Sequence, residues 1–180
     1  KSELMIFGIG GSPRSGTSMM MHCCMLGGMQ LAYDHEHEEF LHKTYPGINP
    51  YFYEFPPENK SLAGEPLQGK LVKLMGNRPF TLAAEHTPLS LVYMTRDPTA
   101  QFKSNQVARD RTYDPIAEGS RKSATIWSLR QHERIVSLAV FSYEEVIEDP
   151  ISAFEQLKTW GWPLDPAEAA QGVDPTLKHY

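Results

Sequence analysis

Three groups of residues in this chain have types and spacing suited to binding an anion such as a phosphate and doing chemistry beside it. The first is GSPRSGTS, Gly11 to Ser18. It is close to G-x-x-x-x-G-K-[ST], the turn whose backbone N–H groups cradle phosphates between a strand and a helix, but Thr17 stands in the lysine position and Arg14 lies inside the turn. Such a turn attracts anions without lysine, because its N–H groups and the positive end of the following helix point the same way. Thr17 and Ser18 add hydroxyl donors, and the Arg14 guanidinium can grip two oxygens at once. The bland alternative is a plain turn joining strand to helix.

The second group is Arg96 with Ser104, eight residues later in RDPTAQFKS. Asp97 and Pro98 read as the N-cap and first position of a helix. Ser104 then shares a stripe with Asp97 and Gln101, and Arg96 stands at the head of that helix. Both can meet one anionic group there; otherwise they are a solvated or ion-paired arginine and an exposed hydroxyl. The third group is DHEHEEFLHK from Asp34, which supplies carboxylates and histidines for general-base work or, equally, a solvated helix start with acids near its positive end.

The elements that must position these groups are legible in outline. Leu4 to Ile9 is a continuous apolar run, as in a parallel strand buried on both faces. From Thr17 the run MMMHCCML predicts a buried helix ending at Gly27 and Gly28. A helix starts at Asp34, and YPGINPYFYEFPPENK reads as irregular. Lys70 to Met75, Leu89 to Met94 and Ile135 to Phe141 read as strands. Arg109 to Arg121, with Pro115 and Gly119, reads as a loop. SATIWSLRQHER predicts a helix with Ile126, Trp127 and Leu129 on one side, and Ile151 to Trp160 a last substantial helix. Strands alternating with helices imply an α/β fold: a three-layer parallel sheet with helices on both faces, residues 1–180 forming one domain.

Composition narrows the partners. The 180 residues are 41% hydrophobic and 22% charged, with a formal net charge of −5, which argues against binding nucleic acid through its backbone charge. A small-molecule, glycan or peptide partner is expected. The adjacent cysteines, Cys23 and Cys24, sit in an apolar run and read as packing residues of a reducing, cytoplasmic compartment. No secretory signal is legible, and the apolar run from Thr17 to Tyr33 is too broken to span a bilayer.

Together the first two groups resemble the PAPS-dependent sulfotransferases, enzymes that use 3′-phosphoadenosine 5′-phosphosulfate as donor and leave PAP. GSPRSGTS is similar to their 5′-phosphosulfate loop, in the arginine version found in tyrosylprotein and many bacterial members. VYMTRDPTAQFKSNQ is similar to their 3′-phosphate motif. FSYEEVIEDPISAFEQLKTWGWPLD resembles the family's Tyr-Glu-Asp strand end and the helix after it, with Tyr143 matching a tyrosine near the adenine. NPYFYEF and VDPTLKHY resemble segments of bacterial members, whereas Met19 stands where many members carry tryptophan.

The resemblance implies a P-loop-like sulfotransferase fold and sulfuryl transfer to a hydroxyl or amine. Pro13, Arg14, Ser15, Gly16, Thr17 and Ser18 would hold the 5′-phosphosulfate, with Arg14 stabilising the leaving oxygen. Arg96 and Ser104 would hold the 3′-phosphate, and no metal is required. The family's base is a histidine after the second strand, absent here, or a glutamate after the first helix. The latter points to Glu36, then His35, with Glu54 further off. A metal site from His35, His37 and a carboxylate is a minor alternative, because i, i+2 histidines project to different helical faces. Tyr45, Tyr51, Phe52, Tyr53 and Phe55 would line an acceptor pocket or pack a loop. Arg109, Arg111, Arg121 and Lys122 would approach the cofactor or an acidic acceptor, or stay solvated. An ATP–Mg²⁺ kinase and a non-catalytic nucleotide-binding module are the competing readings.

Overall fold

A computed structural model describes residues 5–55, 66–85, 88–109, 114–174 and 176 of the chain. Four parallel strands, β1 (Ile6–Gly11), β2 (Leu71–Met75), β3 (Leu89–Thr95) and β4 (Ile135–Ser142), form one sheet in the order β2-β1-β3-β4. All six residues of β1 are buried, as a strand at the centre of a covered parallel sheet requires. Its side chains alternate between two cores. Phe7 and Ile9 join Leu71, Val92, Met94, Ala139 and Phe141 on one face, while Ile6 joins Val72, Leu74, Leu91 and Tyr93 on the other.

Helices cover both faces. On the first lie α1 (Thr17–Leu26), α7 (Pro150–Thr159) and α8 (Pro166–Ala170), contributing Met20, Met21, Phe154, Leu157 and Ala169. On the second lie α3 (Arg78–Glu85) and α5 (Pro115–Gln131), contributing Leu82, Ala83 and Leu129. The remaining helices are α2 (His35–Thr44), α4 (Pro98–Arg109) and α6 (Tyr143–Glu148). The fold is thus α/β with a central parallel sheet between helical layers. No helix among the described residues is long and apolar enough to cross a membrane.

Local chemistry sets the helix starts that matter for the site. Asp34 accepts from the N–H of Glu36 at 3.0 Å and of His37 at 3.2 Å, fixing the start of α2. Asp97 does the same for α4 through the N–H of Ala100 at 2.9 Å. Two expectations need correction. Where it is described, the stretch Arg109 to Arg121 is mostly helix rather than loop: α4 runs to Arg109 and α5 opens at Pro115 behind the cap Asp114. Proline costs nothing at a first helical position, and the ~1 kcal/mol penalty of Gly119 is small beside the packing of a seventeen-residue helix. Trp127 does not share the buried side of Leu129; it is 66% exposed, because a residue next to Ile126 is turned about 100° round the axis.

Candidate functional site

The Gly11–Ser18 turn joins β1 to α1 at the carboxyl edge of the sheet, where ligands of open parallel sheets bind. Two glycines make its path possible. Gly16, the residue before α1, has φ 94, and a Cβ there would lie 2.6 Å from the Tyr143 ring. Gly11 has φ 149, and a Cβ there would meet Ser15 Oγ at 2.6 Å. Arg14 itself has φ 66, a left-handed conformation uncommon outside glycine that neighbouring contacts must over-determine. They do: Arg96 Nη1 donates to the Arg14 carbonyl at 3.1 Å, Ser15 Oγ donates to Ser12 O at 2.7 Å, and Gln101 Nε2 donates to Pro13 O at 2.8 Å.

The turn and the head of α4 meet directly. Arg14 Nε donates to Ser104 Oγ at 2.9 Å, although ninety residues separate them. Ser104 and Gln101 are buried on the inner stripe of α4, and the guanidinium of Arg96 lies 4.4 Å over the Tyr143 ring. Burial raises the pKa of the Tyr143 phenol, against the opposing pull of Arg96 and Arg14. Three cations therefore face one cavity of about 610 Å³: Arg14, Arg96 and Lys73.

Lys73 is the residue that sequence reasoning missed. It belongs to β2, is 4% exposed, and its Nζ donates to Ser18 Oγ at 2.9 Å and to Phe52 O at 2.8 Å. The ammonium lies beside the hydroxyl that closes the Gly11–Ser18 motif, in the neighbourhood where the loop lysine of that motif works. A signal existed: a lysine inside the apolar run KLVKLM of a doubly covered strand has to find polar partners to be buried at all.

The facing wall of the cavity comes from the irregular segment 49–54. Glu38 on α2 holds it, accepting from the N–H of Phe52 at 2.9 Å and of Tyr53 at 2.8 Å. These charge-assisted bonds and the Lys73 bond to Phe52 O fix Tyr53 at φ 53. Tyr51 stacks between His22 at 4.4 Å and Tyr53 at 5.3 Å. Desolvation lowers the His22 pKa, favouring the neutral ring. His22, Tyr51, Phe52, Met19 and Met75 give this side its apolar lining, and Asn49 reaches back to accept from Arg14 Nη1 at 3.0 Å.

Of the residues expected at a site, Pro13, Arg14, Gly16, Thr17, Ser18, Arg96 and Tyr143 line the cavity. Ser15 and Ser104 are buried behind that lining. His35 and Glu36 are exposed and outside it. The reason is helical phase: Glu38 and Leu41 occupy the inner stripe of α2, and Glu36 is about 200° round from Glu38. Glu54 does line the cavity, with His37 Nε2 at 3.6 Å from its Oε2. Among the described residues no three His, Cys, Asp or Glu side chains assemble to hold a metal, so His35, His37 and a carboxylate do not form one. Tyr45 and Phe55 stand outside the lining, and Tyr53 packs behind Tyr51. Arg121 is exposed beside Glu118 at 3.4 Å, and Lys122 is buried. Arg111, the Arg109 side chain and most of VDPTLKHY lie outside the described residues.

No known family model matches this chain, nor does any curated protein. Among solved structures, retinol dehydratase in complex with androsterone and the inactive cofactor PAP is similar at a TM-score of 0.45 and 15% identity, over 93% of this chain and 63% of that one. The chain thus spans less than two thirds of that protein, and a likeness of this size carries no functional argument.

Proposed function

We propose that the protein is a PAPS-dependent sulfotransferase, moving a sulfuryl group to a hydroxyl or amine acceptor and leaving PAP. The observation that carries this reading is the convergence of the two sequence groups: Arg14 bonds to Ser104 at 2.9 Å while Arg96 bonds to the Arg14 carbonyl at 3.1 Å. A donor with phosphate at both its 3′ and 5′ positions needs two neighbouring anion subsites, one of them a turn at a helix start. The residues fit such a donor: two guanidinium groups, an ammonium, hydroxyls, and a glycine turn at a helix start.

In this reading the donor supplies an activated S–O bond. The turn and Ser18 hold its 5′-phosphosulfate and Arg96 its 3′-phosphate, while Ser104, buried behind the lining, orients Arg14 through the bond from its Nε. Arg14 and Lys73 face the charge that develops on the transferred and leaving oxygens, where preorganised cations are most effective. The acceptor oxygen or nitrogen forms the new bond to sulfur as the bond to the phosphate oxygen breaks, and the electron pair leaves on that phosphate. The acceptor proton goes to a carboxylate. Glu54 stands on the cavity wall and Glu36 outside it, so Glu54 is the better placed of the two for this task.

Lys73 favours one second reading. An ammonium beside the turn also suits the terminal phosphates of ATP, as in a kinase. Against it, the Asp97 carboxylate is engaged in capping α4. Thermal shift separates the two: stabilisation by PAP without metal is expected, and a response confined to ATP with Mg²⁺ would overturn the proposal. Turnover of PAPS with a panel of acceptors then distinguishes an enzyme from a nucleotide-binding module.

A further inference from the structure

The turn that carries Arg14 is braced from behind by a side chain that the proposed reaction does not use. Lys122, on α5, is 8% exposed, and its ammonium donates to the Arg96 carbonyl at 3.3 Å and to Gln101 Oε1. Gln101 is fully buried on α4, and its Nε2 donates to Ser12 Oγ at 2.6 Å and to Pro13 O at 2.8 Å. An ammonium can only donate and a peptide carbonyl can only accept, so the amide of Gln101 is oriented from both ends. Its oxygen must face the lysine and its NH₂ the turn.

We propose that Lys122 is a positioning residue for the donor site: through the Gln101 amide and the Arg96 carbonyl it fixes the Ser12–Arg14 turn, and thereby sets the affinity for an anionic donor. The ligand's identity rests on the sulfotransferase reading; the relay itself does not.

Two features of the chain support it. The left-handed φ of 66 at Arg14 persists only if its flanking peptides are held. The groups that hold them, Gln101 on Pro13 O and Arg96 on Arg14 O, are the two that Lys122 touches. The second is cost. Desolvation pushes the Lys122 pKa down, only partly offset by Glu118, Glu144 and Asp97, so a buried ammonium is an expensive way to fill space between α4 and α5. Its donors must be what the site needs.

The test combines PAP titration calorimetry with amide hydrogen exchange of residues 12–18 in the ligand-free protein, on wild type, Lys122→Met, Lys122→Arg and Ser12→Ala. Lys122→Met is expected to speed exchange in the turn and to weaken PAP about tenfold, the low end of what losing a supporting partner behind a binding group costs at metal sites. The KM for PAPS should rise by a similar factor, with a much smaller fall in kcat. Lys122→Arg should restore most of the affinity. Ser12→Ala cuts the far end of the relay without touching the buried lysine, and should weaken PAP several-fold. A folded Lys122→Met protein with wild-type PAP affinity overturns the proposal, as does lost affinity with unchanged exchange in the turn. Should Lys122→Met fail to fold, wild-type affinity and exchange in Ser12→Ala overturns it. If the wild type does not bind PAP, the sulfotransferase reading falls and the exchange arm alone decides the relay.

Discussion

The side of the cavity formed by the Gly11–Ser18 turn and Arg96, just before α4, comes from two short stretches of sequence, whereas the facing side takes Asn49, Tyr51, Phe52 and Glu54 from an irregular segment and Lys73 from β2. On the first side each functional group is a near neighbour of the turn or helix start that aims it. On the second side nothing local fixes the backbone. It is pinned from outside, by the Glu38 carboxylate on two N–H groups and the Lys73 ammonium on one carbonyl. Anion binding can therefore be written into a motif, while the wall that would receive an acceptor depends on which distant side chains happen to reach it.

The sharpest way to break this contrast is at Arg14. Arg14→Ala should lower PAPS turnover about 10³-fold, the scale of removing one preorganised group from a developing charge, measured as kcat/KM with an acceptor found in the panel. A loss below tenfold would mean that the turn is not where charge develops. On the opposite wall, Glu54→Gln should cost about 10²-fold in kcat if it takes the acceptor proton, while Glu36→Gln changes kcat by less than about twofold. The reverse pattern would return the base to the segment that the sequence alone favours.

A smaller effect tests the pinning. Glu38→Gln leaves an NH₂ facing an N–H donor where a carboxylate oxygen accepted, so stability should fall by about 2 kcal/mol. For a chain of this size that is a Tm lower by roughly 4–8 °C, with the acceptor KM affected more than PAP binding. The smallest expected response is at the cysteines. Burial holds the Cys23 thiol at about 12 and the fully buried Cys24 well above its usual range, so neither should react with iodoacetamide at pH 8 in the folded protein. A folded-state pKa raised above 9.0 stabilises fully below pH 9, and that contribution is lost as the pH rises from 9 toward 12. Urea unfolding at pH 8 and pH 10 should show lower stability at the higher pH.

Much of the sheet was legible because its strands are continuous apolar runs, and a strand buried on both faces can contain little else. The apolar runs match β2, β3 and β4 to within a residue or so at each end. The failures have local causes. Pro115 and Gly119 look like breakers, yet one sits at a first helical position and the other on a long packed helix. α3, α6 and α8 run to eight, six and five residues, too short for a helical period to establish itself. On α2 the sequence presents five acidic or histidine side chains in a row, and nothing local says which of them faces inward.

By itself, then, the sequence determined what depends on neighbours along the chain: the apolar strands, the capped starts of α2 and α4, the glycine turn with its inward arginine, and the stripe joining Asp97, Gln101 and Ser104. The tertiary structure decided which distant groups meet. It brought Lys73 to Ser18, Glu54 rather than Glu36 to the cavity, and Lys122 to the amide that steadies the turn. The physical reason is range: caps, turns and periodicity act over a few residues, while the partner of a buried charge is chosen by whatever the packed sheet and helices carry within hydrogen-bonding distance.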